Sequence, residues 1–216
     1  MYPCYFVVFD LETGGLITKT GGIPPITEFA AAVLNDKLET VEEVDFFIKP
    51  YKPVERYTAE ALKVSNITLD LCEKQGMSAL DASKQIADLF KKAKAPAGAK
   101  KPILCGHNID SFDVPILNDF LTEFKVDLSK FVEKDCTIDT KWWGRIAYPE
   151  LPGYTLSDCL MREKIDNEQA HRAIGDVRAN RDLLVRMLQR LRGEAGLFAP
   201  TVESPRKNFR FQIARK

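Results

Sequence analysis

Asp10 and Glu12 stand two residues apart at the end of an apolar run, in Phe9-Asp10-Leu11-Glu12-Thr13-Gly14-Gly15. In an extended strand, residues i and i+2 share a face, so both carboxylates aim at one point while Leu11 turns the other way. Adjacent carboxylates repel, which raises the pKa of at least one of them unless a cation neutralises the pair. Hard oxygen donors of this kind suit Mg²⁺ or Mn²⁺ and not zinc. Alone, such a pair is a common accident of a solvated strand end. Its place after an apolar strand and before a Gly-rich turn, where a sheet edge opens into a cleft, gives it weight.

A second group, Gly106-His107-Asn108-Ile109-Asp110-Ser111-Phe112-Asp113, also follows an apolar run. Asp113 falls in the first turn of the next helix, where an acid also complements the helix dipole. His107 and Asn108 are residues that satisfy turn backbone as readily as they bind anything. The third group is Ala170-His171-Arg172-Ala173-Ile174-Gly175-Asp176. At ~100° per residue, positions five apart differ by ~140° and cannot share one helical face. Asp176 therefore belongs on the helix and His171 on the loop before it, where an imidazole can swing toward a substrate for acid–base work. The chain has two histidines, and both lie in these segments.

The elements that must carry these residues are legible in outline. Residues 5–9 read as a buried strand, and residues 28–34 as a second, turning at Asn35-Asp36 into a third that ends near Lys49-Pro50. Thr58 caps a short helix, residues 79–93 repeat apolar positions at helical spacing, and 91–102 form a surface loop before a strand at 103–105. Helices are expected at 112–124, 140–147 and 176–191, with a short strand at 137–138. Strands first as a meander, then alternating with helices, make the class α/β with a mixed central β-sheet.

The three groups together, in this order and setting, resemble the DEDDh (DnaQ-like) 3′→5′ exonucleases: Asp10-x-Glu12, then Asn108-x-x-x-Phe112-Asp113, then His171-x-x-x-x-Asp176. The spacing from Asn108 to Asp113, Leu16 after the turn, and Val114-Pro115-Ile116-Leu117 are similar to the three-prime repair (TREX-like) branch. The resemblance implies a ribonuclease H-like fold and an exonuclease domain over 1–192, followed by a basic C-terminal tail, 193–216. It implies two Mg²⁺ (or Mn²⁺) ions: Asp10, Glu12 and Asp176 hold one, and Asp10 bridges to a second held with Asp113. In that pattern His171 is the general base. Thr13 and Gly14 approach the terminal 3′ nucleotide, Leu16 and Phe112 pack against bases, and His107 and Asn108 touch sugar or phosphate. The implied partner is the 3′ end of a nucleic acid, DNA favoured over RNA, with single-stranded or frayed ends preferred. An exoribonuclease of the RNase T or oligoribonuclease kind and a polymerase proofreading subunit are the alternatives, and a homodimer or a polymerase is the protein partner left open.

One competing string exists. Tyr154-Thr155-Leu156-Ser157-Asp158 fits the sister class that uses Tyr-x-x-x-Asp, yet Thr155 and Asp158 also fit a helix start. The long final helix begins at Asp176, which favours the histidine form.

Thirty-one basic residues balance thirty-one acidic ones, so bulk charge offers a polyanion no attraction, and any attraction is local or supplied by cations. The five cysteines are scattered and never paired as C-x-x-C, which excludes a disulfide framework or zinc site and suggests buried thiols in a reducing compartment. No apolar run is long enough for a membrane span, and no signal-like segment opens the chain, so the expected location is the cytoplasm. Of Trp142 and Trp143, one is expected in the core and one partly exposed; the lysines around 91–101 read as solvated surface. The segment 200–216 has five basic residues against Glu203 and alternates Phe209, Phe211 and Ile213 with polar residues, as a docking strand or a basic arm would.

Overall fold

The computed structural model describes residues 5–18, 22–93, 100–133 and 136–193. Five strands form one sheet: β1 (Phe6–Thr13), β2 (Ile26–Leu34), β3 (Thr40–Phe47), β4 (Ile103–Gly106) and β5 (Thr137–Asp139), in the order β3-β2-β1-β4-β5. β2 runs antiparallel to both β1 and β3, whereas β4 pairs parallel with β1 and with β5. The helices are α1 (Ala59–Ser65), α2 (Leu69–Gln75), α3 (Ala79–Ala93), α4 (Asp113–Glu123), α5 (Thr140–Ala147), α6 (Leu156–Glu163) and α7 (Ala173–Arg192). The mixed α/β sheet flanked by helices is the architecture expected from the sequence.

Strand alternation gives the sheet two unlike faces. Val7, Phe9 and Leu11 of β1 and Phe29, Ala31 and Val33 of β2 join Ile86, Leu89 and Phe90 of α3 and Ile116, Leu117 and Phe120 of α4 in one apolar cluster. The other face takes the alternate residues, paired in register as Glu12–Glu28–Phe47 and Asp10–Ala30–Asp45 across β1, β2 and β3. Basic residues of α7 meet that face: Arg178 and Arg181 both bond the Glu43 carboxylate, at 3.0 and 2.7 Å. The first face supplies burial, and the second holds charge.

β1 is longer than the apolar pattern suggests, because Asp10 to Thr13 continue the ladder opposite Ala30 to Ile26. The β2–β3 turn is tied by the Asn35 side chain, whose Oδ1 accepts the Lys37 and Glu39 amides, and its left-handed residue is Leu38 (φ 68°), not Asn35 or Asp36. Thr58 caps α1 as expected, and Thr68 caps α2, which the sequence reading passed over. α6 opens on a capping box between Thr155 and Asp158.

The chain divides into two compact units, Met1–Val185 and Arg186–Lys216. The first holds the sheet and every motif residue. In the second, the described residues end α7 at Gly193, whose φ of 72° is the left-handed conformation that stops a helix. The tail from 194 onward, the loop at 94–99 and Cys4 lie outside the described residues. The other four cysteines form no disulfide among the described residues, where no helix is long and apolar enough to cross a membrane.

Candidate active site

β1 presents Asp10 and Glu12 on its charged face, next to the C-terminal end of β4. The turn after β4 is forced close: a Cβ on Gly106 would lie 2.0 Å from Ile109 Cγ2 and 3.0 Å from the Phe9 carbonyl oxygen. Asn108 takes a left-handed φ of 65°, and its amide donates to Asp139 Oδ1 at 2.8 Å. That loop delivers Asp113 to the start of α4, where Oδ1 accepts the Leu11 amide of β1 at 3.2 Å. Asp113 is thus anchored to the backbone between Asp10 and Glu12. Asp176, in the first turn of α7, closes the group: one carboxylate oxygen each from Asp10, Glu12 and Asp176 lie within 4.8 Å of one another. Its oxygens also accept the Asn167 side-chain amide at 2.6 Å and the His171 backbone amide at 3.3 Å.

Every acid of the group is held above the ordinary carboxylate range. Burial and then the charges of Asp113, Asp176 and Glu12 push Asp10 well up. Burial, followed by Asp176 and Glu28, pushes Glu12 up to about 8. Burial lifts Asp113 to about 7 against the favourable Leu11 amide, and it raises Asp176 against the bonds from Asn167 and His171. Oxygen donors that converge and resist ionisation side by side are the donor set a hard divalent cation neutralises, so Asp10, Glu12 and Asp176 fit such an ion.

The other motif residues fall in differing surroundings. His171 is exposed on a left-handed backbone (φ 64°), on the loop directly before α7. His107 is knitted inward: Nε2 lies 2.9 Å from the Tyr154 carbonyl and Nδ1 lies 3.0 Å from the Thr140 hydroxyl. A carbonyl can only accept, so Nε2 carries the hydrogen, and burial lowers the pKa of this ring. Asn108 Oδ1 is shared between Ser111 and Lys141, each at 3.0 Å. Thr13 is buried and bonds the Gly15 carbonyl at 2.7 Å, while a Cβ on Gly14 would meet Tyr57 Cδ1 at 2.7 Å. Leu16 is 73% exposed and so is not a core residue, whereas Phe112 leans on the apolar cluster. Trp142 is half-exposed and Trp143 only partly buried. Asp158 of the rival tyrosine string is occupied by the Thr155 amide and hydroxyl at the start of α6.

Two features beside the site escaped the sequence reading. Glu28, fully buried opposite Glu12, accepts Arg172 Nη2 at 2.6 Å, Arg172 Nε at 3.1 Å and the Ala173 amide at 3.1 Å. The Arg172 guanidinium lies 5.0 Å from the centre of the Phe47 ring. The signal was available: Glu28 is the sole charge in β2, all of which is buried, and a buried charge demands a partner. Asp139 is the second, buried at the end of β5 and bonded to the amides of Asn108 and Lys141.

Known proteins bear on this arrangement. The profile of the RNase T exonuclease family matches residues 7–184. The PolC-type DNA polymerase III of Bacillus subtilis is 30% identical over 184 residues, which cover 85% of this chain and 11% of that polymerase. The DNA polymerase III subunit epsilon of Rickettsia prowazekii is 30% identical over 172 residues, covering 79% of this chain and 68% of that subunit. Escherichia coli exonuclease I, solved with a dT13 oligonucleotide, superimposes with a TM-score of 0.71 at 20% identity, over 89% of this chain and 42% of that one, and so shares the fold. The chain therefore spans about a tenth of the polymerase and less than half of exonuclease I. With the Asp-x-Glu strand, the acid at the start of α4 and the His-to-Asp entry into α7 all inside the matched span, the chain belongs to the RNase T exonuclease family of DEDDh, DnaQ-like type.

Proposed function

We propose that this chain is a divalent-metal-dependent 3′→5′ exonuclease that acts on DNA, with single-stranded or frayed ends preferred. The observation that carries the reading is the convergence of Asp10, Glu12 and Asp176 from opposite ends of the chain. Its relatives support DNA as substrate: two are DNA polymerase III proteins, and exonuclease I, which shares the fold, was solved with a dT13 oligonucleotide.

In this reading Asp10, Glu12, Asp113 and Asp176 hold two Mg²⁺ or Mn²⁺ ions. Such ions lower the pKa of water and neutralise charge that builds on the entering and leaving oxygens. The chain's own residues do the rest. His171, exposed on its loop, accepts the proton of the attacking water and releases it to solvent. The buried Thr13 and the close-packed Gly14 give the terminal nucleotide a rigid backbone wall, and exposed Leu16 offers a sequence-tolerant contact to its base. Asn108 contacts sugar or phosphate, and the rim of Phe112 packs against a terminal base. His107 acts by holding the Asn108 turn against Tyr154 and Thr140, since both its nitrogens are engaged there. No serine or cysteine nucleophile is required.

The test uses 5′-labelled single-stranded DNA and RNA of equal sequence, with Mg²⁺ and with EDTA. The expected result is a ladder shortening from the 3′ end of DNA, abolished by EDTA and by Asp10→Ala. Cleavage that persists under EDTA would sink the metal requirement, and faster loss of the RNA would reverse the substrate assignment.

A further inference from the structure

We propose that Glu28 and Arg172 are positioning residues that set His171 for proton transfer, an inference that rests on the exonuclease reading above. His171 has no strand or helix of its own to hold it, and its backbone sits in the left-handed region that few side chains adopt. What fixes it is its neighbours. On one side its amide donates to Asp176 Oδ2 at 3.3 Å. On the other, the next two residues are both captured by one carboxylate. Arg172 meets Glu28 through Nη2 at 2.6 Å and Nε at 3.1 Å, and the Ala173 amide reaches Glu28 Oε2 at 3.1 Å. Phe47 lies under the guanidinium at 5.0 Å. Gly175 packs so closely on Gln169 that an added Cβ would lie 2.2 Å from its carbonyl oxygen, which leaves the loop no slack.

The chemistry of the pair argues for more than stability. Glu28 is fully buried while the Arg172 side chain is 40% exposed, and burying a carboxylate on that scale for an ion pair alone is a poor bargain compared with an apolar residue. A carboxylate in that place does what an apolar residue cannot. It takes a forked guanidinium and a backbone amide at once, which fixes the orientation of the peptide that follows His171. Glu28 is also directly opposite Glu12 in the β1–β2 register, so the same strand position that faces the metal ligands fastens the base loop.

The experiment compares E28Q, H171A and the double variant. E28Q should lower kcat at least about tenfold with KM within about twofold, since the lost alignment is felt in the transition state. In the H171A background the same change should cost less than about twofold, because Glu28 acts through the imidazole. Losses that multiply would overturn the proposal. A second readout needs no activity: the chain has two imidazoles, and His107 is an internal reference held by Tyr154 and Thr140. In proton spectra of the metal-free protein, E28Q should displace or broaden the His171 ring signal and leave that of His107 in place; an unchanged His171 signal overturns it. The paired variant E28M/R172M removes both charges and guards against misfolding. It should keep the His107 signal and reproduce the altered His171 signal, whereas a wild-type His171 signal and rate there would reduce the pair to packing. If the parent chain itself degrades no DNA, the exonuclease reading fails, and the ring spectra still decide whether Glu28 sets His171.

Discussion

Replacing Asp10 by Asn removes an ionisable group whose charged form is disfavoured by burial and then by the acids around it. The variant should therefore lose exonuclease activity and yet melt higher than the parent in EDTA near neutral pH, the sign of a site whose function costs stability. A lower melting temperature in EDTA would show that Asp10 is held by contacts and not opposed by its neighbours. His171→Ala should differ: kcat falls by ~10²–10⁴ while stabilisation by Mg²⁺ persists, because His171 lies outside the converging oxygens. Scanning calorimetry with and without Mg²⁺ separates the two. At this scale the acids were legible because strand parity and helix phase are local rules. The buried charge of Glu28 was legible too, but its partner was not, because Arg172 lies 144 positions away.

Thr155→Ala breaks the capping box of α6 and should cost ~1 kcal/mol of stability, read from denaturant midpoints, with kcat within about twofold. Asp158→Ala should likewise spare the rate; a large loss of activity from it would revive the tyrosine string as the catalytic one. The long periodic elements, α3 and α7 among them, stood out because their apolar spacing spans several turns. α2 did not, since a helix of Leu69–Gln75 offers barely two turns of pattern, although Thr68 caps it as Thr58 caps α1. β1 was cut short because Asp10 and Glu12 interrupt apolar alternation without leaving the ladder. The Asn108–Asp113 spacing falls in the loop between β4 and α4, where chain length is readily absorbed.

For the whole molecule, the raised acids set a pH dependence. Glu12 has a folded pKa of about 8 against an ordinary 4.5, so the folded state keeps a proton that the unfolded chain has released. Stability from this source is full below the lower value and is lost as pH rises through the upper one. His107, whose pKa is lowered, works in the opposite sense, but only below about 6.5, where the unfolded ring gains a proton. In EDTA the melting temperature should therefore fall from about pH 6.5 to about pH 8, and Mg²⁺ should flatten the slope. A midpoint that rises over that interval without metal would contradict the burial of these acids.

The converging oxygens come from the opening strand and the closing helix, Asp10 and Glu12 on β1 and Asp176 on α7, with nearly the whole of the first unit between them. During synthesis the ribosome emits β1 well before Asp176. A nascent chain thus holds the oxygens of Asp10 and Glu12 without that of Asp176, and the converging set is completed only when α7 follows.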